Sequence, residues 1–304
     1  MEEYAQVQKN KSKNDTMKSE GLSIVIPAFN EEEGIGNVLD TLKDALDTLD
    51  IPKEIIVVDD GSTDGMSKVL SAFEGILVIR HERNIGYGAA IKTGMRQARY
   101  EWICITDADG TYPNEKIPEF VSAMAENDMV IGARVGRGAR MPLIRKPTKW
   151  ILTQIANYLA QQRIPDLNSG LRIFKKDIAE SFLNILPNRF SFTATITLAM
   201  LSNNYRVLFI PINYHPRTGK SKIRPLHDTM NFFQLIIRTI LYFEPLRIFL
   251  PVGGALLLTS SILFILRLIK GGGFGVTIPM FLLAGIQILV IGMLADLIDR
   301  RMKS

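Results

Sequence analysis

Residues 102–113 read WICITDADGTYP, an apolar run followed at once by two carboxylates. Its first five residues form a mostly apolar run without Pro or Gly, which predicts a buried strand. Asp107 and Asp109 follow at once, and Gly110 and Pro113 end the strand. A buried parallel strand delivers the loop behind it to the carboxyl edge of the sheet, where open α/β sheets bind ligands. Both carboxylates are therefore expected at a ligand-binding edge.

Two carboxylates two residues apart at such an edge suit a hard divalent cation with oxygen ligands. Cations of this kind often hold substrate phosphates as well. The alternative is an Asp-rich turn that caps the next helix. Both interpretations are compatible with this stretch alone, and the chain on either side of it bears on the choice.

Apolar runs of strand length alternate with segments of helical periodicity on both sides of this stretch. The predicted strands lie at 22–27, 53–58, 76–79, 102–106 and 129–133, and the predicted helices lie at 31–49, up to 73, at 89–98 and at 118–127. This alternation predicts a mostly parallel sheet with helices on both faces. Beyond Arg134 it gives way to a basic segment, a predicted helix at 148–162 and late strands at 171–174 and 207–214.

The composition excludes several classes of function. The 304 residues include 36 Lys or Arg and 31 Asp or Glu, so the net charge of +5 is mild. The basic residues cluster at 134–149, at 217–224 and at the C-terminus without interleaved aromatic residues, which favours phosphates or an anionic membrane over a nucleic acid. Cys104 is the only cysteine, so no disulfide forms within the chain, and its apolar neighbours predict a buried thiol.

Two long segments near the C-terminus, 248–266 and 271–295, carry no charge. The first is at the lower limit for spanning a bilayer and the second is long enough. A Gly-rich turn between them predicts a hairpin of two membrane helices, the alternative being a helix pair buried in a soluble core. Basic residues before and after the hairpin place both ends in the cytoplasm by the positive-inside tendency. Residues 1–20 are polar and charged, which predicts a disordered tail and no signal peptide.

Several motifs, taken in order, resemble a known family. They are IVIPAFNE at 24–31, VVDDGSTD at 57–64, NIGYGAAIKTG at 84–94, TDADGTYP at 106–113, DLNSGLRIFK at 166–175 and RTGKSK at 217–222. Their order resembles that of family 2 glycosyltransferases with the GT-A fold. With the C-terminal hairpin, the chain resembles the polyprenyl-phosphate glycosyltransferases, the group that contains dolichol-phosphate mannose synthase and undecaprenyl-phosphate glucosyltransferases.

This resemblance implies an α/β catalytic domain of the GT-A, Rossmann-like type, with a mostly parallel sheet covered by helices on both faces. A juxtamembrane amphipathic helix and a two-helix transmembrane hairpin would follow. The implied boundaries are a tail at 1–20, the catalytic domain at 21–225, the juxtamembrane helix at 226–246, and the hairpin with its basic C-terminus at 247–304.

The resemblance also implies a donor site. Its nucleotide pocket would be lined by Pro27, Phe29 and Glu31, and Asp59 and Asp60 would contact the base or ribose. For this aspartate pair the alternative is helix capping.

Asp107 and Asp109 would hold Mg²⁺ or Mn²⁺ against the donor diphosphate, with Asp109 counted among the catalytic residues. Relatives often have Gln two residues after the second aspartate as a further metal ligand. Thr111 stands at that position, so the motif names no third protein ligand, and water is the substitute.

On the acceptor side, Arg134 and Arg145 match the family positions that bind the acceptor phosphate. The forked guanidinium suits that task, and an ordinary solvated charge is the alternative for each. The remaining implied ligand-binding residues are Ser169 and Arg172 in the acceptor motif, and Arg217, Lys220 and Lys222 in a basic loop that can close over the donor diphosphate or bind anionic lipid. The glycines of 84–94 are interpreted as helix entry and close packing.

The chemistry of the acceptor separates the subclasses. A sugar hydroxyl needs a general base, whereas a lipid monophosphate, with a second pKa of about 6, is mostly dianionic at neutral pH and attacks unaided. The resemblance thus implies an integral membrane enzyme, with its catalytic domain cytoplasmic, that transfers one sugar from a nucleotide-diphospho-sugar to a polyprenyl (dolichyl or undecaprenyl) phosphate with inversion. The alternatives are transfer to a lipid-linked sugar or diacylglycerol hydroxyl, and a catalytically silent nucleotide-sugar binding protein. The sugar, the base, the polyprenol and a homo-oligomeric state stay open.

Overall fold

The computed structural model describes residues 21–134, 157, 164–189, 191–213, 241, 245–270 and 275–303, with side chains in the last range up to Ile298. It divides into an α/β unit, which holds 1–146, 164–200 and 205–223, and a second unit, which holds 147–163, 201–204 and 224–304. The predicted helix at 148–162 and the implied juxtamembrane helix at 226–246 lie outside the described residues, apart from Asn157, Leu241 and residues 245–246. Each unit is described by itself below.

Strands and helices alternate through the first half of the α/β unit, as the periodicity predicts. The strands are β1 (Leu22–Ala28), β2 (Lys53–Asp59), β3 (Ile76–Arg80), β4 (Trp102–Ile105), β5 (Met129–Arg134), β6 (Arg172–Lys175) and β7 (Val207–Ile212). The helices are α1 (Ile35–Asp47), α2 (Met66–Leu70), α3 (Tyr87–Gln97), α4 (Ile117–Ala123), α5 (Lys176–Ser181) and α6 (Phe192–Ser202), with a 3₁₀ turn at Asn114–Lys116.

Within the described residues, the strands form one sheet in the order β3-β2-β1-β4-β6-β5-β7. Neighbouring strands are parallel except that β6 runs antiparallel to both β4 and β5. The loops that follow β1, β2 and β4 therefore leave the sheet at one edge. This confirms the predicted mostly parallel sheet and brings the predicted donor residues to the same side of the α/β unit.

The central strands are buried on both faces. β1 is buried along its whole length, as expected for a strand covered by helices on each side. In α1, the apolar side chains at helical spacing, including Val38, Leu39 and Leu42, are all buried. Cys104 in β4 is also fully buried, and burial raises the pKa of its thiol, so the predicted inert thiol is confirmed.

Gly94 lies where α3 packs on β1, because a Cβ at this position would overlap Val25 Cγ1 in the core. Gly94→Ala is expected to lower the free energy of unfolding by up to about 2 kcal/mol, since overpacking costs about 1–3 kcal/mol and the gain in helix propensity returns about 1 kcal/mol. Urea denaturation of the variant measures this loss. Gly36→Ala is the control, because its Cβ would come no closer than 3.6 Å to Val69. Equal stability of the two variants would contradict the packing argument.

Two helices of the α/β unit, α5 and α6, are not predicted by the sequence analysis. The sequence of α6 is FTATITLAMLS, which is apolar or β-branched almost throughout and is buried on all sides. A helix without a polar face shows no helical period, so periodicity cannot identify it. The predicted helix up to 73 is shorter than expected, since α2 ends at Leu70.

The second unit contains two long apolar helices, α7 (Leu246–Ile269) and α8 (Thr277–Lys303), which match the predicted hairpin. They run antiparallel, with Gly253 close to Gly285 and Ser260 Oγ donating to the Ile278 carbonyl at 2.9 Å. Small residues at a helix crossing of this kind are typical of membrane helix pairs. Both helices are long and apolar enough to cross a bilayer, with mean hydropathies of 2.2 and 2.3, and most of their surface faces outward.

Candidate active site

The loops after β1 and β2 are tied to each other at the carboxyl edge of the sheet. Asn30, with a φ of 52°, accepts from the Thr63 backbone N–H at 2.8 Å, and its own N–H donates to Ser62 Oγ at 3.0 Å. The Gly65 N–H donates to Glu32 Oε2 at 2.9 Å. These bonds join two loops that are about 30 residues apart in sequence.

The predicted nucleotide-pocket residues of β1 lie beside this junction. Pro27 is buried within the strand, and Phe29 and Glu31 are half-buried just beyond its end. The structure thus places all three at the carboxyl edge of the sheet, and their contact with a nucleotide stays a prediction.

Asp59 is the last residue of β2 and is nearly fully buried. Its Oδ1 accepts from the Ser62 N–H at 2.8 Å, and its Oδ2 lies 3.5 Å from Arg80 Nε. Arg80 also donates to the Ser62 carbonyl at 3.0 Å. Asp59 therefore holds the loop after β2, and its predicted contact with a base or ribose stays a prediction.

Asp60 is equally buried, and both of its oxygens are used inside the fold. Oδ1 accepts from the Ile85 N–H at 3.0 Å and lies 2.8 Å from His81 Nδ1, and Oδ2 accepts from the Gly86 N–H at 2.8 Å. Helix capping, the alternative for this aspartate pair, is not observed, since α2 has no side-chain cap and the first N–H of α2 donates to Asp64 Oδ1 at 3.2 Å. Asp60 holds the loop that leads into α3.

The two carboxylates after β4 have separate partners. Tyr87 Oη donates to Asp107 Oδ1 at 2.9 Å. Asp109 Oδ1 accepts from the Thr111 hydroxyl at 2.6 Å and from the Thr111 N–H at 3.2 Å. Thr111 therefore orients Asp109. A Cβ on Gly34 would lie 2.7 Å from the Ala108 carbonyl, so the start of α1 packs directly on this loop.

The donor set after β4 fits Mg²⁺ or Mn²⁺. Mg²⁺ is commonly bound through one or two carboxylates, with substrate phosphates and water as its other ligands. No cluster of three or more His, Cys, Asp or Glu that could hold a metal gathers within the described ranges, so a cation held by these two aspartates would need further ligands such as water or phosphate. Neither Asn114–Lys116 nor α4 has a side-chain cap. These carboxylates therefore do not cap the next helix, which was the alternative for this stretch.

Burial and the negative charge of Asp107 raise the pKa of Tyr87 well above its usual value. Its hydroxyl therefore keeps its proton and acts as a donor to the carboxylate. Tyr112 lies on the other side of the same loop, where burial raises the pKa of its hydroxyl as well. Tyr112 Oη accepts from the Gly170 N–H at 2.7 Å.

Arg134, at the end of β5, is paired with Asp166. Its Nε and Nη2 donate to Asp166 Oδ2 and Oδ1 at 2.6 and 2.9 Å, and its backbone N–H donates to Oδ2 at 3.1 Å. Burial acts to raise the pKa of Asp166, but the bonds and charge of Arg134 outweigh it, and the pKa lies below its usual value. Contact of Arg134 with an acceptor phosphate stays a prediction. The structure adds Asp166 as the residue that sets where this guanidinium lies.

Arg172 in β6 is fully buried, which places it inside the fold and away from the protein surface. Nη1 donates to the Thr193 carbonyl and to Thr197 Oγ1 at 2.8 Å each, and Nε donates to the Ser169 carbonyl at 3.1 Å. Burial lowers its pKa to about 10. Ser169 is buried too, and its hydroxyl lies beside the Tyr112 phenol without a regular hydrogen bond among the described residues. Arg172 therefore ties the acceptor motif to α6.

The glycine loop before α3 packs on a distant turn, as the sequence analysis predicts. A Cβ on Gly88 would overlap the Pro187 carbonyl, and the Asn188 carbonyl accepts from the Ala89 N–H at 2.9 Å. Lys92 Nζ donates to Asn188 Oδ1 at 2.9 Å. Close packing at helix entry is confirmed for this segment.

Four predicted site residues lie outside the described residues, and their roles stay predictions. They are Arg145, Arg217, Lys220 and Lys222. The sequence analysis missed three residues of the site, namely Tyr87, Tyr112 and Asp166. All three lie within quoted motifs, but residue type and spacing alone do not separate them from loop residues.

Comparison with known families finds two matches along the chain. The profile described as Glycosyl transferase family 2 matches residues 23–183. The profile described as GtrB C-terminal hairpin matches residues 244–300, which contain α7 and most of α8.

Two named relatives match different shares of the chain. The undecaprenyl-phosphate 4-deoxy-4-formamido-L-arabinose transferase of Yersinia pestis (strain Pestoides F) is 31% identical over 307 residues, which cover 95% of this chain and 90% of that protein. The low-salt glycan biosynthesis hexosyltransferase Agl6 of Haloferax volcanii is 29% identical over 213 residues, or 68% of this chain. The chain spans about half the length of this second relative, since the match covers 51% of it.

Solved structures support the fold. Glucosyl-3-phosphoglycerate synthase from Mycobacterium tuberculosis, in complex with Mn²⁺, UDP-glucose and phosphoglyceric acid, gives a TM-score of 0.58 at 18% identity, with 73% of this chain and 80% of that chain covered. The same enzyme with Mg²⁺ and UDP gives 0.57 at 18% identity, with 73% and 79% covered. At this identity the likeness is one of fold, and with the observed sheet it confirms the predicted GT-A type of α/β domain.

Proposed function

Because this chain belongs to glycosyl transferase family 2, we propose that it transfers one sugar from a nucleotide-diphospho-sugar to a polyprenyl phosphate, with undecaprenyl or dolichyl phosphate as acceptor. That it is a glycosyltransferase follows from the family. The observation that carries the finer proposal is the Asp107–Asp109 pair at the carboxyl edge of the sheet, in a chain that also has a helix pair of membrane-spanning length. The acceptor class is supported by the name of the Yersinia relative.

The donor side of the proposal uses residues at the ends of β1, β2 and β4. Asp107 and Asp109 are expected to hold Mg²⁺ or Mn²⁺, which when bound would neutralise charge on the leaving diphosphate. Thr111 keeps Asp109 in one orientation through two hydrogen bonds. Asp59 and Asp60 stiffen the neighbouring loops, so the pocket is largely formed before the donor arrives.

On the acceptor side, one oxygen of the lipid phosphate dianion attacks the anomeric carbon and the bond from that carbon to the nucleotide diphosphate breaks. The products are an inverted glycosyl phosphate lipid and a nucleoside diphosphate. No protein base is needed, because the attacking phosphate is already ionised. Arg134 is expected to bind that phosphate, and the pair with Asp166 aligns its guanidinium.

We further propose that the enzyme is an integral membrane protein with its catalytic domain on the cytoplasmic side. The apolar outward surfaces of α7 and α8 support the membrane part of this proposal. The orientation rests on the basic residues that precede and follow the hairpin in the sequence. Cysteine labelling at either end of the chain in sealed vesicles tests the orientation.

Removal of the hairpin tests anchoring. A chain that ends at Tyr242 is expected to glycosylate polyprenyl phosphate in vesicles on the order of 100-fold more slowly than the full chain, because it loses the high local concentration of acceptor. The control is a short-chain, water-soluble polyprenyl phosphate, on which both proteins should act alike if the α/β unit folds. An equal rate in vesicles would show that the hairpin is not the means of reaching the acceptor.

A panel of nucleotide sugars tests the proposed reaction. The full chain is incubated with each labelled donor, Mn²⁺ or Mg²⁺, and undecaprenyl or dolichyl phosphate, and the lipid-linked product is measured. One donor is expected to give a glycosyl monophosphate lipid. Product on a lipid-linked sugar or diacylglycerol hydroxyl, with none on polyprenyl phosphate, would overturn the acceptor assignment.

A further inference from the structure

We propose that Tyr87 is a positioning residue for the Asp107 carboxylate, and that its hydroxyl sets the affinity of the active site for a divalent cation. This inference rests on the proposed function, since it takes Asp107 as a ligand of that cation. Tyr87 is not among the residues that the family motif assigns to the site in the sequence analysis. Its role follows from three contacts around Asp107 and from the network that holds Tyr87 itself.

The Asp107 carboxylate is confined from two sides. On one side, Tyr87 Oη donates to Oδ1 at 2.9 Å. On the other, the carboxylate lies against the backbone of Gly170, where an added Cβ would come within 2.7 Å of Oδ2 and 2.8 Å of Oδ1. Gly170 is held in turn by its N–H, which donates to Tyr112 Oη at 2.7 Å. The carboxylate is therefore oriented by the protein alone, before any cation is present.

The backbone turn that delivers Tyr87 is held by a buried carboxylate. Tyr87 is the first residue of α3, and Gly86 before it has a φ of 114°, which favours glycine. Asp60, only 3% exposed, accepts from the Gly86 and Ile85 N–H groups at 2.8 and 3.0 Å. Asp60 thus fixes the backbone from which the Tyr87 side chain extends.

A second link runs from Asp60 to the middle of α3. His81 Nδ1 lies 2.8 Å from Asp60 Oδ1, and its Nε2 lies 3.0 Å from Thr93 Oγ1. One imidazole therefore joins the buried carboxylate to a residue nearly two turns along the helix. The chain of contacts Thr93–His81–Asp60 holds α3 at the angle that aims Tyr87 at Asp107.

Removing the Tyr87 hydroxyl has two opposed effects on cation binding. The freed carboxylate gains rotational freedom that the cation must then remove, which weakens binding. It also loses a donor that withdraws some of its negative charge, which strengthens binding. Outer-shell partners of metal ligands generally change affinity or activity by about 10–100-fold in the direction of loss. We therefore expect orientation to outweigh charge at this site.

Tyr87→Phe removes the hydroxyl and keeps the ring. Mn²⁺ is titrated into the full chain in detergent with UDP or GDP present, and free Mn²⁺ is followed by electron paramagnetic resonance. The apparent Kd for Mn²⁺ is expected to rise by about 10-fold or more. The Mn²⁺ concentration for half-maximal transfer should rise in parallel, whereas the rate at saturating Mn²⁺ should recover most of the wild-type value. If Tyr87 had only a structural role, the variant would have a lower unfolding temperature. Its Kd for Mn²⁺ would then not rise separately from its rate at saturating Mn²⁺.

Tyr205→Phe is the matched control. Tyr205 lies in the same unit, with its ring packed edge-on against Phe182 at 6.1 Å between centroids. Tyr205→Phe also removes a phenol hydroxyl, but this hydroxyl has no recorded contact with Asp107. Its Kd for Mn²⁺ is expected to equal that of the wild type.

Gly170→Ala gives a second test with Tyr87 intact, because the new Cβ would press on the Asp107 carboxylate from the opposite side. It is expected to weaken Mn²⁺ binding as well, which tests whether the orientation of Asp107 sets the affinity. Wild-type Mn²⁺ affinity in folded Tyr87→Phe, or in folded Gly170→Ala, would overturn the inference. If the wild-type chain itself binds no Mn²⁺ with either nucleotide, it is the proposed function that fails.

Discussion

Asp109→Asn is expected to lower the turnover number by at least about 100-fold, because the loss of one ligand charge removes several kcal/mol of stabilisation from the leaving diphosphate. The fold of the loop should survive the change. Asn retains Oδ1, which in Asp109 accepts the two bonds from Thr111. The expected loss therefore reports on the missing charge and not on a collapsed turn.

Transfer of labelled sugar to polyprenyl phosphate, measured over a range of Mn²⁺ concentrations, checks this result. Asp44→Asn is the control, since Asp44 is an exposed carboxylate of α1 whose change alters the net charge by the same amount. Chelation of the wild-type enzyme with EDTA should reproduce the loss seen in Asp109→Asn. Near-normal transfer with EDTA present would refute the assignment of both aspartates to a cation.

Arg134→Ala is expected to affect both stability and acceptor binding. Asp166, whose side chain is 11% exposed, would lose its partner, and the free energy of unfolding should fall by about 2–3 kcal/mol. Removing one partner of a fully buried ion pair costs about 3–5 kcal/mol. The expected loss is smaller here because the Arg134 side chain is 29% exposed. If Arg134 also grips the lipid phosphate, the apparent KM for acceptor should rise by about ten- to a hundred-fold with donor affinity unchanged. Arg134→Lys should restore only part of the acceptor binding, because lysine lacks the forked guanidinium.

The double variant Arg134→Ala/Asp166→Ala separates the two effects. Removing both partners leaves no unpaired carboxylate, so stability should return towards the wild-type value. The acceptor KM should stay high if Arg134 contacts the phosphate, and should return to normal if the arginine only holds its loop. The latter result, or weakened donor binding in Arg134→Ala, would contradict the acceptor role.

Lys175→Ala is the control for the loss of stability. Lys175 pairs with Asp128 at 2.8 Å, with side-chain exposures of 28% and 15% that are close to those of the Arg134 pair. The variant should lose similar stability without a change in the acceptor KM.

Three features could be predicted from the amino-acid sequence alone: the order of strands and helices up to β5, the edge at which Asp107 and Asp109 lie, and the C-terminal helix pair. Each of these depends on local information. A strand that is buried on both faces, such as β1, is continuously apolar in sequence. The helical period identifies α1. The length of a charge-free segment can be read directly from the sequence. The resemblance carried by the motifs added the GT-A fold and the family.

The contacts of the polar residues of the site could not be predicted from the sequence and are seen in the folded chain. Asp60 holds the loop before α3, Arg134 is turned onto Asp166, and Arg172 is buried under the acceptor motif. In each case the partner lies 21 to 32 residues away along the chain. A carboxylate or guanidinium has the same appearance in a sequence whether it faces a ligand or another side chain.

The position of β6 has the same explanation. It is predicted as a strand from its apolar residues, but it enters the sheet between β4 and β5 in the antiparallel direction. An apolar run specifies that a segment is extended and buried, and it carries no sign of strand direction or neighbour. Those depend on the packing of the whole domain.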